Sequence, residues 1–524
     1  MSYLLKGIKI PFFSKMIKEK KVSAWVWFFL GGIGALVFPP FTSVFWGYAS
    51  IISFLLYVFC NDYTKKRLFG LSYVYGIGFY IVGFGWINNA LLLDDDLVQF
   101  VPFVVFAIGL FFCLFWSVPF VISWFGKNIY SKMLYFCSSF IFVEWIRSFI
   151  FTGFPWNLFG TALAFDVKLL QGASVIGTYG LSLCLMLMLC GIVLLLKSIL
   201  DKKVYWGAVG FIVIPLVFIL VCANTFVGSN RNGDIKVRLV QPNIPQTYKW
   251  DSAKAYENFR KHIDMSKSSV DDEIDLVVWG EAAVPYPLDR DINHLIEVTE
   301  AIPANGFLVT GLLRGAMEYG EIVAYNSLFV INERGDILDY YDKSHLVPFG
   351  EYLPFREYLP DFMRPVTNIV GTLGKGEKYK NIKVNGLPLM GGAICYESIF
   401  PGEVVNKKEK PEILLVLVND GWYGISAGPY QHLVASQMRA IEEGVTVIRS
   451  ANTGVSAVIA DNGEILGEIG LNVAGVVDVV LPKILSHSTF YGKFGNIIPL
   501  SMAFVLLILA YIFDKYRKKS RTSV

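Results

Sequence analysis

The sequence predicts a multi-pass α-helical membrane domain of eight transmembrane helices joined to an α/β domain, and three observations predict it. Long apolar blocks fill the first half and recur once near the end, basic residues cluster in alternate loops between them, and residues 229–485 break into short strands and helices. Hydrophobic residues make up 54% of the chain, and their gathering into runs is what separates it from a soluble protein. A bilayer core about 30 Å thick takes about 20 mostly apolar residues to cross as a helix. Eight blocks approach or exceed that length, at about 23–38, 43–60, 68–88, 100–125, 131–151, 177–197, 204–226 and 494–513.

The charges orient these blocks. Lys6, Lys9, Lys15, Lys18, Lys20 and Lys21 precede the first, and Lys65, Lys66 and Arg67 follow the second. Lys127 and Lys132 separate the fourth from the fifth, Lys197, Lys202 and Lys203 flank the turn from sixth to seventh, and Lys515, Arg517, Lys518, Lys519 and Arg521 follow the eighth. The intervening loops FPPFTS (38–43) and LLLDDDL (91–97) carry no basic residue. By the positive-inside rule both termini are cytoplasmic and the domain between blocks seven and eight is outside. The Lys-rich start followed by an apolar block resembles a signal peptide, but it runs into VFPPFTS with no small-x-small cleavage site, so the first helix is retained. The chain thus divides into a tail (1–22), seven spans (23–228), an exterior domain (229–485), an eighth span with its lead-in (486–514) and a basic tail (515–524). Topology accounts for the basic residues and leaves no nucleic-acid signal.

In the exterior domain, 234–244, 274–285, 306–313, 387–397 and 412–420 read as strands, mostly continuous apolar runs suited to burial on both faces. Residues 251–269 and 430–444 read as helices, the second ending at Gly444. SLFVINERGDILDYYDK (327–343) and SAVIADNGEILGEIG (456–470) read as hairpins around Arg334-Gly335 and Asn462-Gly463. Strand–helix alternation with antiparallel hairpins points to a layered α/β sandwich.

Six cysteines (Cys60, Cys113, Cys137, Cys184, Cys190 and Cys222) lie in apolar blocks, and Cys395 alone lies outside them. In an oxidising space an unpaired thiol is either accidental or reactive. A cysteine nucleophile needs a base or a nearby cation, and acyl chemistry needs something to hold the oxyanion. Glu281, Lys343 and Cys395 each end a predicted strand, which offers a carboxylate, an ammonium and a thiol for one site. The plain readings stand beside this: Cys395 as a small core residue, Glu281 as a turn cap, Lys343 as a solvated strand end. His345 is a further candidate base. His262, His294, His432 and His487 show no metal-ligand spacing, so no metal and no cofactor is expected.

WGEAAVP (279–285), YDKSHLVPFGEYLP (341–354), GGAICYESIFP (391–401) and NDGWYG…GPYQHL…MRAIEEG…IRSANTGVSA (419–457) resemble the motifs of the nitrilase superfamily, and within it the bacterial apolipoprotein N-acyltransferases. EWIRS (144–148), TGFPWNLFG (152–160) and QPNIPQTYKW (241–250) extend the resemblance across nearly the whole chain. It implies an αββα sandwich, with Cys395 as nucleophile, Glu281 as general base and Lys343 steadying the tetrahedral intermediate. It also implies supporting roles for Glu351, Tyr396, Glu397 and Trp250. The family usually reads Trp-Pro-Glu where this chain has Trp279-Gly280-Glu281, which exchanges a fixed φ for freedom.

The implied reaction moves an acyl chain from a membrane phospholipid, through a Cys395 thioester, to the α-amine of a diacylglyceryl-modified N-terminal cysteine of an apolipoprotein, with a periplasmic catalytic domain on the bacterial inner membrane. A membrane-tethered amidase using water as acceptor is the alternative with the same residues. A transporter or lipid-binding protein is the alternative from another class. Glu144 and Arg147, in the fifth block, would serve that class as a pathway or, more plainly, form a local ion pair. FPPFT (38–42) and FTGFPWN (151–157) read as a lipid portal or as interfacial belts, and 344–364 reads as an aromatic, Pro-rich lid.

Overall fold

The computed structural model describes residues 22–41, 44–93, 95, 97–230, 232–267, 273–318, 320–358, 365, 373–483 and 488–522. The tail expected at 1–22 (all but its last residue), part of the acidic loop 91–97, the end of the loop 344–364 and His487 lie outside the described residues. The chain forms two compact units, one of Met1–Asn88, Phe100–Phe226 and Phe494–Val524, the other of Asn89–Gln99 and Val227–Lys493.

The first unit is helical, and each apolar block carries a helix. Four are long and apolar enough to cross a membrane: Lys65–Leu91, Val98–Ser123, Ala173–Asp201 and Ile497–Lys515. Ala24–Val37, Val44–Phe59 and Gly207–Ala223 are apolar but shorter. Ile129–Ile146, opened by an Asn128 capping box, carries Lys132 and Glu144 within its 18 residues. Glu144 and Arg147 each hold main chain. Glu144 Oε1 accepts from Phe159 N–H at 2.7 Å, and Arg147 Nη2 donates to the Trp156 carbonyl at 2.9 Å. A buried charge that satisfies irregular backbone is an anchor for that backbone.

The second unit holds two six-stranded sheets. In the first the order is β12-β1-β2-β3-β4-β5, with β1 Lys236–Gln241, β2 Leu276–Val278, β3 Phe307–Glu318, β4 Glu321–Asn332, β5 Ile337–Asp342 and β12 Gly475–Val480. The second runs β11-β10-β9-β8-β7-β6, with β6 Asn381–Ile382, β7 Met390–Ile394, β8 Ile413–Val418, β9 Thr446–Ala451, β10 Ser456–Ile459 and β11 Ile465–Ile469. Each has a parallel trio at its centre (β1-β2-β3 and β7-β8-β9) and antiparallel strands outside it.

Strand alternation builds the layers. Leu276, Val278, Val309 and Val330 face the second sheet, where they share a core with Met390, Leu414, Val416 and Val458. Val277, Leu308 and Phe329 point the other way and pack under Phe259 and Ile263 of the helix Ala255–Ser266 and Val298 of Ile292–Val298. The helix Gly428–Glu443 covers the second sheet through Leu433 and Ala440. The result is an αββα sandwich.

Several strand limits differ from the expectation. The strand expected at 274–285 stops at Val278, and 279–283 leave the sheet before Val284 makes an isolated bridge to Leu312. The strand expected at 387–397 ends at Ile394, where a 3-10 turn, Cys395–Ile399, begins. The short strand expected at 306–313 is one arm of a hairpin with 12 residues on each side.

Candidate active site

The ends of β2, β5, β7 and β8 deliver the polar groups, where ligands of α/β sheets commonly bind. Cys395 follows β7 directly, with φ +52°, a conformation that non-glycine residues seldom adopt. The thiol is 5% exposed and its Sγ lies 3.9 Å from the Tyr423 hydroxyl. Burial first, then the Glu281 carboxylate, raise the thiol well above its usual pKa, while Lys343 and the Asn419 N–H pull the other way.

Glu281 sits in the turn after β2, and its Oε1 accepts from Asn326 Nδ2 at 2.7 Å and lies 3.6 Å from Lys343 Nζ. Lys343 follows β5 and is 1% exposed; its Nζ donates to Glu351 Oε1 at 2.8 Å. Burial opposes that ammonium, but Glu351, Glu281 and Cys395 together hold its pKa above the ordinary lysine value. Glu351 Oε2 accepts from Val347 N–H at 2.7 Å, which ties the following loop to the same cation. All three strand-end groups therefore meet in one buried place, and the plain readings of a turn cap and a solvated strand end do not hold.

Glu397 is a hub. Its Oε1 accepts from Tyr341 Oη (2.9 Å), Ser344 N (2.9 Å), Ser344 Oγ (2.7 Å) and His345 N (2.9 Å), and its Oε2 from Ile394 N (2.7 Å). One carboxylate thus locks the loop after Lys343 onto the turn that holds Cys395. Tyr396 is buried against the rings of His345 and Phe400. The ring of His345, the further candidate base, stacks on Phe400 at 4.2 Å. Trp250 lines a cleft beside Glu281 together with Lys249, Asn258, His262 and Asn452. Among the described residues no group of three or more His, Cys, Asp or Glu side chains could hold a metal.

A carboxylate, a lasting ammonium and a thiol within electrostatic reach of one another can shuttle a proton, hold an oxyanion and form an acyl-thiol bond. Comparison with known proteins gives the family. Residues 236–483 match the carbon-nitrogen hydrolase family, and residues 30–192 match the apolipoprotein N-acyltransferase N-terminal domain. The apolipoprotein N-acyltransferase of Rickettsia typhi is 33% identical over 499 residues, 93% of this chain and 98% of that one. That of Rickettsia bellii is 34% identical (94% and 98% covered), and that of Bradyrhizobium diazoefficiens 33% (86% of each). The chain belongs to the apolipoprotein N-acyltransferase family.

Around the groups that the resemblance to the apolipoprotein N-acyltransferases suggested lie others that strand-end logic missed. Asn326, in the middle of β4, orients Glu281. His432 sits inside the helix Gly428–Glu443, fully buried, with Nδ1 2.7 Å from Asp420 Oδ1 and Nε2 3.0 Å from the Cys395 carbonyl oxygen. Arg449 of β9 donates to Asp420 Oδ2 at 2.6 Å. Burial opposes the Asp420 charge, but Arg449 and His432 hold the carboxyl below its usual range. Lys249 donates to the Glu281 main-chain oxygen at 2.7 Å. His432, Asp420, Arg449 and Lys249 are charged or imidazole side chains in apolar or motif segments, where pairing is a matter of three-dimensional contact. Only the neighbouring motif letters GPYQHL and QTYKW could have flagged His432 and Lys249.

Proposed function

We propose that the chain transfers an acyl group from a membrane phospholipid to the α-amine of the diacylglyceryl-modified N-terminal cysteine of apolipoproteins, with Glu281, Lys343 and Cys395 as the catalytic residues. The observation that carries this reading is the meeting of those three side chains in one buried site of an apolipoprotein N-acyltransferase family member. Glu281 takes the Cys395 proton as sulfur attacks the phospholipid ester carbonyl, and Lys343 with nearby N–H groups offsets the charge on the tetrahedral oxygen. The C–O bond breaks, the proton passes from Glu281 to the departing lysophospholipid oxygen, and a thioester remains. The acceptor amine then attacks, Glu281 takes its proton, and the C–S bond breaks to give an amide and the free thiol. A proton-shuttling carboxylate serves both halves because its task reverses between them.

Glu351 keeps Lys343 in place, Glu397 and Tyr396 brace the turn of Cys395, and Trp250 walls the cleft beside the base. Both substrates are lipid-anchored, which suits an eight-span chain of the bacterial inner membrane with cytoplasmic termini and a periplasmic domain at 229–485. The alternating basic loops support that topology. Incubating the full-length protein with phospholipid micelles is expected to add one acyl mass to the peptide holding Cys395. The Cys395→Ala variant is expected to lose that mass and all lipoprotein-peptide acylation. Acylation of the acceptor without an acyl-enzyme would overturn the two-step scheme.

A further inference from the structure

Glu281 is held at its carboxylate by Asn326 and Lys343, but its backbone lies beyond the sheet. The last β2 residue is Val278, and the chain then turns through Ala282 at φ +45°. Trp279 N–H donates to Val309 O (2.9 Å) and Gly311 N–H to Gly280 O (3.2 Å), which ties the main chain to β3, and the Trp279 indole donates to Ser266 Oγ (2.9 Å). Gly280, between them, contributes no stiffness of its own. The Glu281 carbonyl takes its hydrogen bond from Lys249 Nζ at 2.7 Å, and among the described residues that is the only hydrogen bond of this amine. Lys249 is 8% exposed. Burial pushes it down to about 8, against the pull of Glu281 and Cys395. An ammonium buried against a neutral carbonyl is poor value for stability, since an apolar side chain fills such space without desolvating a charge.

We propose that Lys249 is a positioning residue that aims the Glu281 carboxylate by clamping that residue's own carbonyl, in place of the backbone rigidity that Gly280 lacks. This rests on the reading of Glu281 as the base. The test substitutes position 280, where the fit is tight. A Cβ at position 280 would stand 3.1 Å from the Ala451 carbonyl carbon and 3.3 Å from Asn452 N and Val418 O, tighter than ordinary contact, so that main chain must give by a few tenths of an ångström to admit it. Gly280 lies outside the left-handed region, and its N–H donates to no described group, so a proline there removes no hydrogen bond.

The experiment is thioester formation on Cys395, followed by mass in full-length protein with phospholipid micelles, in a cycle of Lys249→Met with Gly280→Pro and with the milder Gly280→Ala. A base displaced by a fraction of an ångström to 1 Å loses up to about 100-fold in rate, so Lys249→Met is expected to slow acylation about 30-fold at saturating phospholipid, with the phospholipid KM within about twofold. In the Gly280→Pro background the loss from Lys249→Met is expected to shrink below about threefold, with Gly280→Ala between, because the stiffer backbone takes over the clamp. An equal loss in all backgrounds, a rise confined to KM, or unfolding of any of these variants overturns the proposal. Glu281→Gln separates the two readings: its full activity would remove Glu281 as base, whereas a dead Glu281→Gln with no coupling between 249 and 280 would remove only the clamp.

Discussion

Cys395 combines a strained backbone with a protected thiol. A left-handed φ costs a residue with a Cβ roughly 1–2 kcal/mol, and this one is held by neighbours on every side: Glu397 on the preceding N–H, His432 against its carbonyl, Asn419 near its sulfur. The turn leaves the thiol within electrostatic reach of Glu281 and Lys343. The raised thiol pKa means that the resting group is the thiol, so its proton must leave as the substrate arrives. Thiolate alone reacts with alkylating agents. Iodoacetamide modification of the Cys395 peptide is therefore expected to keep accelerating from about pH 7 to about pH 10, past the ordinary thiol value of about 8.5. A plateau at or below about pH 8.5 would show an ordinary or activated thiol. The solitary position of this cysteine was legible in the sequence, as were its two charged partners. Its φ was not, because a left-handed turn after GGAI leaves no composition mark.

At the scale of elements, the helix Gly428–Glu443 illustrates how buried charge sets pH behaviour. Glu443 lies at its C-terminal end, where the helix dipole disfavours a carboxylate, and its Oε1 has no partner among the described residues. Burial, then the adjacent Glu442, push its pKa up to about 7. An unfolded glutamate titrates near about 4.3, so between those two values the folded state binds the extra proton. The stabilising contribution is fully present below about pH 4.3 and is lost as pH rises through about 7. Glu443→Gln, which keeps the protonated shape, is expected to flatten the fall in thermal stability between about pH 5 and about pH 8. An unchanged slope would move the titration to another group. The same helix was legible from its Gly444 stop and apolar spacing. The edge strand β12 and the arms of the β3–β4 hairpin beyond Leu313 were not. The hairpin residues RGAMEYGEIVAY (314–325) mix charge with small side chains and lack the apolar runs that mark the central strands, while β12, GVVDVV, is a valine run broken by Asp478.

For the whole molecule, the sequence showed apolar blocks more plainly than it showed their lengths as helices. Ala24–Val37 covers about 21 Å at 1.5 Å per residue, short of a hydrocarbon core of about 30 Å. A short apolar helix crosses only where the bilayer thins or flanking residues reach the interface. The charge pattern makes the stronger case, because a single missing span would reverse every loop that follows it. With eight spans, the tail after Arg521 and the loop at Lys127–Lys132 face the same side, and the hairpin turn at Arg334 faces the other. Alkaline phosphatase inserted at the exposed Arg334 turn is then expected to be active and a fluorescent protein fused after Val524 to fluoresce. The exchanged fusions, phosphatase after Val524 and fluorescent protein at Arg334, are expected to be silent. If one of the shorter helices lies flat on the membrane before residue 227, the Arg334 turn and the C-terminus both change sides, and all four signals invert together. If only Ile497–Lys515 fails to cross, the two positions give the same signal. The four-fusion set thus separates an error in the first seven helices from an error in the last.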